Sequence, residues 1–268
     1  MSPPPILTIA GSDSCCGAGV QADLKAISAL GGYALNALTS VVSETPGRVS
    51  LVRLLEAELV SDQIRVLFEG YPIAAAKTGM LGGRAQVEAV VESWSALAAA
   101  GLPLVVDPVM VATGGGKLLQ DDAIEAVRLR LLPLATVITP NMDEAGVLWG
   151  RAVRTLEDML VCVKELAAEY GTAVLLKGGH LEGEAADVLC TKGELNWFTS
   201  PRITGVQTHG TGCTYSAAIA TGLGRGLPLE EAVASAKKYV SAAIADYYVW
   251  DGGHGSVHAL NHLKNSSL

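Results

Sequence analysis

The chain switches repeatedly between two hydrophobic periods, and that alternation limits its fold more than any other feature. Ile6 to Ala10 form a short apolar run that reads as a strand, after which Val20, Leu24 and Ile27 recur at helical spacing. An apolar run from Ala34 to Val42 follows, then a helical face of Val60, Ile64, Leu67 and Phe68, then the run Ala74 to Ala76. The next helix is marked by Val87, Val90, Trp94 and Leu97, the next strand is Leu104 to Val106, and Ile124, Val127 and Leu131 mark a further helix. Val137 and Ile138 open another strand, ahead of a helix carrying Leu156, Leu160, Val163 and Leu166 and the strand Ala173 to Leu176. Wholly apolar strands separated by amphipathic helices require a mostly parallel sheet covered on both faces, which is a three-layer α/β/α arrangement. One segment departs from the rhythm: Asp187 to Phe198 reads as two short strands joined at Lys192-Gly193, a hairpin at an antiparallel edge. Thr211 to Gly226 and Leu229 to Tyr247 then close the chain as two alanine-rich helices.

No polar linker, repeat or low-complexity tract divides the sequence, so residues 1–268 are read as one domain. Ligands are expected at the carboxyl ends of its strands. A formal net charge of -8 gives a nucleic-acid partner little electrostatic footing. The five cysteines form no C-x-x-C pair and follow no secretory signal, which points to a reducing, cytoplasmic setting without disulfides. No apolar run reaches the roughly 18 to 20 residues of a membrane span.

The most informative motif is His209-Gly210-Thr211-Gly212-Cys213, where a glycine-rich loop runs directly into an apolar helix. Glycines let backbone N–H groups converge on an oxyanion, and the helix N-terminus adds positive partial charge where a transferring phosphoryl group gathers negative charge. Cys213 falls at that N-terminus, where its thiol pKa is expected to fall and make it a base or proton relay. The alternative is a small buried hydrophobe beside a tight turn. Ahead of it, Gly17-Ala18-Gly19-Val20-Gln21-Ala22 satisfies G-x-G-x-x-A, but six residues separate it from Ala10, too many for the dinucleotide turn. A Walker loop is absent from the whole chain. Asp107-Pro108-Val109-Met110 and Thr139-Pro140-Asn141-Met142-Asp143-Glu144 gather hard oxygen ligands at two strand ends, suited to Mg²⁺ and nucleotide phosphates, although acidic residues are also ordinary at helix N-termini. In Lys177-Gly178-Gly179-His180 the lysine could reach a phosphate as a point charge or simply lie on the surface.

Taken together, AGSDSCCGAGVQADLK from Ala10, KTGML from Lys77, DPVM from Asp107, TPNMDEA from Thr139, KGGH from Lys177 and HGTGC from His209 resemble the ribokinase-like kinases, and within them the hydroxymethylpyrimidine and phosphohydroxymethylpyrimidine kinases of thiamine biosynthesis. The resemblance spans nearly the whole chain. It implies the ribokinase-like fold, ATP with Mg²⁺ as donor, and a pyrimidine alcohol and then its monophosphate as acceptors. It also implies a homodimer with a small hairpin lid. By the same resemblance Gly210, Thr211, Gly212 and Cys213 form the catalytic loop with Lys177. Asn141, Lys177, Thr211 and Gly212 would hold the nucleotide, and Asp107 and Glu144 the metal. Gly11, Asp23, Glu44, Gly79, Met80 and Val109 would line the acceptor pocket. Two departures stand out. Glu44 replaces the glutamine of many members, and a carboxylate cannot donate to a ring nitrogen unless protonated. Cys15-Cys16 replaces smaller residues in the first loop. Pyridoxal kinases share the fold, so vitamin B6 alcohols are the alternative acceptors. A non-catalytic nucleotide-binding module, and acyl transfer through Cys213 with His209, are the readings from other classes.

Overall fold

The structure, a computed structural model, describes residues 2–110, 119–179, 183–206, 209–252 and 255–263. His180 of the KGGH motif lies outside the described residues. Among those described, nine strands form one sheet in the order β3-β2-β1-β4-β5-β6-β7-β8-β9. They are β1 (Pro5–Asp13), β2 (Tyr33–Thr45), β3 (Arg48–Leu54), β4 (Ala75–Thr78), β5 (Leu104–Val106), β6 (Val137–Ile138), β7 (Ala173–Lys177), β8 (Ala185–Thr191) and β9 (Glu194–Ser200). From β2 through β1, β4, β5 and β6 to β7 every pairing is parallel. The Lys192-Gly193 turn joins β8 and β9 in the expected antiparallel hairpin, with both residues at positive φ.

The apolar strands point their side chains alternately into two cores. Leu7, Ile9, Leu104, Val106, Ile138, Val174 and Leu176 face α2 (Ala57–Gly70), α3 (Arg84–Leu97), α4 (Asp121–Ala126), α5 (Met142–Trp149) and α6 (Leu156–Tyr170). Ile6, Val105, Val137 and Leu175 face α1 (Gly19–Ala29), α7 (Thr211–Gly224) and α8 (Leu229–Ala245). This is the three-layer arrangement the periodicity requires. Helices α5 and α6 begin with capping boxes, Asn141 with Glu144 and Thr155 with Asp158, and end on left-handed Gly150 and Gly171.

Three elements differ from the sequence expectation. Strand β3 pairs antiparallel with β2, so both ends of the sheet are reversed; its largely exposed residues carry no buried period to reveal it. A separate hairpin, β10 (Tyr248–Gly252) with β11 (Gly255–Ala259), follows α8 for the same reason. The helix marked by Ile124, Val127 and Leu131 is regular only to Ala126. It then widens over Val127–Leu131 and tightens at Leu132–Leu134, where Pro133 has no N–H to donate.

One ion pair ties α1 to the sheet. Lys77 of β4 and Asp23 of α1 are both completely buried, with Nζ 3.0 Å from Oδ2 and 3.1 Å from Oδ1, and Thr8 Oγ1 donates to the same carboxylate. Burial alone would lower the Lys77 pKa, but the Asp23 carboxylate holds it above its ordinary value. Asp23→Ala is expected to destabilise the chain by about 3–5 kcal/mol in urea denaturation, because it strands a buried cation. Asp23→Leu combined with Lys77→Met should recover most of that loss, and an unrecovered double variant would show that the pair is not the cause.

Candidate active site

The carboxyl ends of β1, β4, β5, β6 and β7 open into a cavity of about 350 Å³, closed on its far side by the loop that enters α7. Gly210 sits at the N-cap with φ +81°, and a Cβ there would meet the Gly17 carbonyl oxygen at 1.7 Å. Only glycine permits both the left-handed backbone and this approach. Thr214 donates to the Gly210 carbonyl through both its amide and its hydroxyl, each at 2.9 Å. Gly212 faces the charged wall: a Cβ at that position would stand 3.2 Å from Lys177 Nζ and 3.5 Å from Asp107 Oδ2. A helix N-terminus, two glycines and an ammonium group thus converge on one spot, which is the geometry of an anion cradle.

The other wall is ordered by internal bonds. Lys177 Nζ lies 3.0 Å from Asp107 Oδ1, and its side chain keeps 14% exposure where Asp107 keeps 3%, so the lysine faces the cavity and the carboxylate supports it. Burial works against charge on Lys177, but Asp107 and Glu144 raise its pKa and keep it cationic. Thr139 and Ser216 donate to the two Asp107 oxygens. Glu144 is the capping-box acid of α5, accepting from the amides of Asn141 and Met110, and it also lines the cavity. Glu144 thus caps α5 and faces the cavity at once. Burial, reinforced by Asp107, raises its pKa despite Lys177. Two buried carboxylates with one cation between them are undercompensated, and their hard oxygens fit Mg²⁺.

Gly11, Glu44, Met80 and Val109 line the same cavity, the last at φ +20°, unusual for a β-branched residue. Asp23, Gly79 and Thr211 do not line the cavity. Asp23 is consumed by Lys77 in the layer behind. The space in front of Gly79 is filled by Lys77 Nζ and the Ala10 side chain, and Thr211 is the first residue of α7, outside the lining. The thiol of Cys213 also departs from expectation. Burial, together with Asp23 and Asp107, pushes it up to about 12, outweighing Lys77 and the hydrogen bond from the Gly19 backbone, so it is a thiol at neutral pH.

Sequence reasoning missed Asp13. Its carboxylate accepts from Cys15 N, Cys15 Sγ, Gly17 N and Ala18 N, and pairs with His209 Nε2 at 3.1 Å. Burial would raise its pKa, but these donors, His209 foremost, hold it well below the usual carboxylate range. Asp13 in turn raises the pKa of His209. Because His209 engages Asp13, the acyl-transfer reading loses its base. The Gly17–Ala22 segment likewise wraps a carboxylate instead of opening a dinucleotide site. His262, part of no sequence motif, is buried and its Nε2 lies 2.9 Å from Thr214 Oγ1, supporting the mouth of α7.

An anion cradle of this kind, built without a Walker loop on a sheet of this order, defines a ribokinase-like phosphotransferase. The sequence profile described as phosphomethylpyrimidine kinase matches residues 13–258. The hydroxymethylpyrimidine/phosphomethylpyrimidine kinase of Streptomyces coelicolor is 43% identical over 257 residues, covering 96% of this chain and 94% of that one. Among solved structures, the Clostridium difficile phosphomethylpyrimidine kinase superposes with a TM-score of 0.79 at 38% identity, covering 90% of this chain and 99% of the other. An ADP complex of Bacillus subtilis pyridoxal kinase gives 0.89 at 34%, covering 97% and 98%. The chain belongs to the phosphomethylpyrimidine kinase family. Among the described residues no helix is long and apolar enough to cross a membrane.

The His262 contact carries a pH signature. Burial, with Lys25 nearby, lowers its pKa from 6.5 to about 4, so between those values the unfolded chain binds a proton that the folded chain refuses. Stability is complete above the unfolded value and is expected to decline by up to about 3 kcal/mol as pH falls through this window. Denaturation of wild type and His262→Gln at several pH values should show a shallower acid slope in the variant; parallel slopes would remove His262 as the cause.

Proposed function

We propose that this chain transfers the γ-phosphoryl group of ATP first to 4-amino-5-hydroxymethyl-2-methylpyrimidine and then to its monophosphate, supplying the pyrimidine diphosphate of thiamine biosynthesis. The observation that carries this reading is the single cavity with the Lys177, Asp107 and Gly212 wall at one end and Gly11, Glu44 and Met80 at the other. Asp107 and Glu144 would hold Mg²⁺, whose charge offsets that of the nucleotide phosphates. Asn141 and Lys177 orient the donor, and the amides around Gly210 to Gly212 receive the negative charge that grows on the phosphoryl group.

Cys213 acts in the first transfer as a relay, not as a pre-formed thiolate. The acceptor hydroxyl gives its proton to Sγ while the thiol proton passes to a phosphoryl oxygen, leaving the thiol regenerated. This fits a thiol whose pKa is pushed up to about 12. The second acceptor is already an anionic phosphate, so positioning carries that step. Cys213→Ala is therefore expected to lower kcat for the alcohol about 100-fold and for the monophosphate by less than about 10-fold. Lys177→Ala should depress both transfers about 100-fold or more with the fold retained. Equal losses in both steps for Cys213→Ala would refute the relay.

Glu44 recognises the ring. Burial, then Asp13, raises its pKa, which favours a protonated carboxyl that both donates and accepts. Since a raised acid pKa means that the proton is lost as pH climbs, KM for the pyrimidine alcohol should increase with pH in wild type and stay level in Glu44→Gln. A KM that tracks pH equally in both proteins would exclude this role. The same reading includes a homodimer, supported by the exposed apolar residues Val41, Val49 and Leu51 of the β2–β3 edge.

The likeness to the Bacillus subtilis pyridoxal kinase supports vitamin B6 alcohols as second-choice acceptors on the same site. A kcat/KM for pyridoxal above that for the pyrimidine alcohol would reverse the order.

A further inference from the structure

Asp13, Cys15 and His209 place a carboxylate oxygen, a thiol sulfur and an imidazole nitrogen within 4.8 Å of one another. Asp13 Oδ2 is 3.2 Å from Cys15 Sγ and 3.1 Å from His209 Nε2. Metal bonds of about 2.0–2.3 Å at tetrahedral angles set ligand atoms roughly 3.3–3.7 Å apart; the two spacings to Asp13 lie just short of that range, and the sulfur–nitrogen spacing is within 4.8 Å. We propose that these three residues form a site for Zn²⁺ or a similar borderline-soft divalent ion, and that filling it inhibits the enzyme by closing the acceptor end of the cavity.

Four features of the surroundings carry this assignment. The Gly17 and Ala18 amides donate to Asp13 and fix its carboxylate, as outer partners of ligating carboxylates do. The turn is itself pinned, because Gly210, next to His209, packs against the Gly17 carbonyl. Asp13 brings a carboxylate to the cavity beside the His209 imidazole, and Glu44 lines the same cavity as a further oxygen donor. Access exists from two sides, since Asp13 and His209 line the main cavity while Cys15 lines a neighbouring one of about 390 Å³ under β10 and β11.

Binding requires no redox partner. The protons that link Cys15 Sγ and His209 Nε2 to Asp13 leave to water as the ion takes their places, and a fourth position stays open to water or Glu44. The sulfur ligand selects against Mg²⁺, which prefers all-oxygen shells, so the nucleotide's metal does not compete. An ion there engages the residue preceding the Gly210 cradle and draws on Glu44, so inhibition should be competitive with the pyrimidine.

The test uses the full chain in excess Mg²⁺. Zn²⁺ is titrated against a chromophoric chelator, and Co²⁺ is added separately while its near-ultraviolet absorption is followed. One Zn²⁺ per chain and a thiolate-to-cobalt charge-transfer band are expected. Cys15→Ser and Cys15→Ala should abolish the band, weaken Zn²⁺ binding at least about tenfold, the lower end of the cost of losing even an outer-shell partner, and relieve Zn²⁺ inhibition measured against each variant's own uninhibited rate. Cys16→Ala should behave as wild type. Cobalt bound without a thiolate band, or Zn²⁺ affinity insensitive to Cys15, would overturn the proposal. These binding results stand apart from the choice of acceptor, so failure of the kinase reading would be seen separately, in turnover without Zn²⁺.

Discussion

The carboxylate of Asp13 joins two loops whose partners, Asp13 and His209, are 196 residues apart in the chain. The entrance of α7 takes its position against β1 from that junction. With the 14–18 turn wrapped around the carboxylate, the Gly17 carbonyl is presented to Gly210, and the entrance of α7 is set against the end of β1. A side chain at 210 would push the two apart, and the amides of α7 would no longer look into the same cavity as Lys177. Asp13 thus holds the end of β1 and the glycine loop of α7 to the same cavity.

Two lysines at strand ends illustrate how depth decides a charge's use. Lys77 is sealed behind the cavity, and its carboxylate partner Asp23 leaves it no freedom to meet a ligand. Lys177 has a carboxylate partner at the same 3.0 Å distance but retains some exposure toward the opening. The first pair fastens a helix to a sheet; the second keeps a cation aimed where phosphates would lie. Sequence spacing alone does not separate the two cases, since both lysines end apolar strands and are followed by Gly within two residues.

The layers were legible because buried strands such as Leu104–Val106 leave no residue unpatterned, whereas β3 and the β10–β11 hairpin, exposed along most of their length, print no period. Motif reading singled out Gly210, Gly212, Lys177, Asp107, Asn141 and Glu144, which the fold brings to one cavity, since each is a chemically distinctive residue at the end of a readable element. It misplaced Asp23, because a helical carboxylate near a pocket looks the same in sequence whether it turns toward ligand or toward a buried lysine. It misjudged the Cys213 thiol because helix position speaks only of the amides, not of the burial and the two carboxylates that outweigh them. Asp13 and His262 were overlooked as partners of His209 and Thr214, contacts that exist only once remote segments meet.

The attachment of His262 to Thr214, reinforced by Tyr239 donating to the His262 carbonyl, has a bearing on how the enzyme comes into being. During translation the strands from β1 to β7 and the helices of one face emerge early and can settle against each other. The mouth of α7 acquires its last support only when residue 262 has cleared the ribosome. The entrance of α7 is accordingly completed late in the growing polypeptide, after the sheet against which it packs.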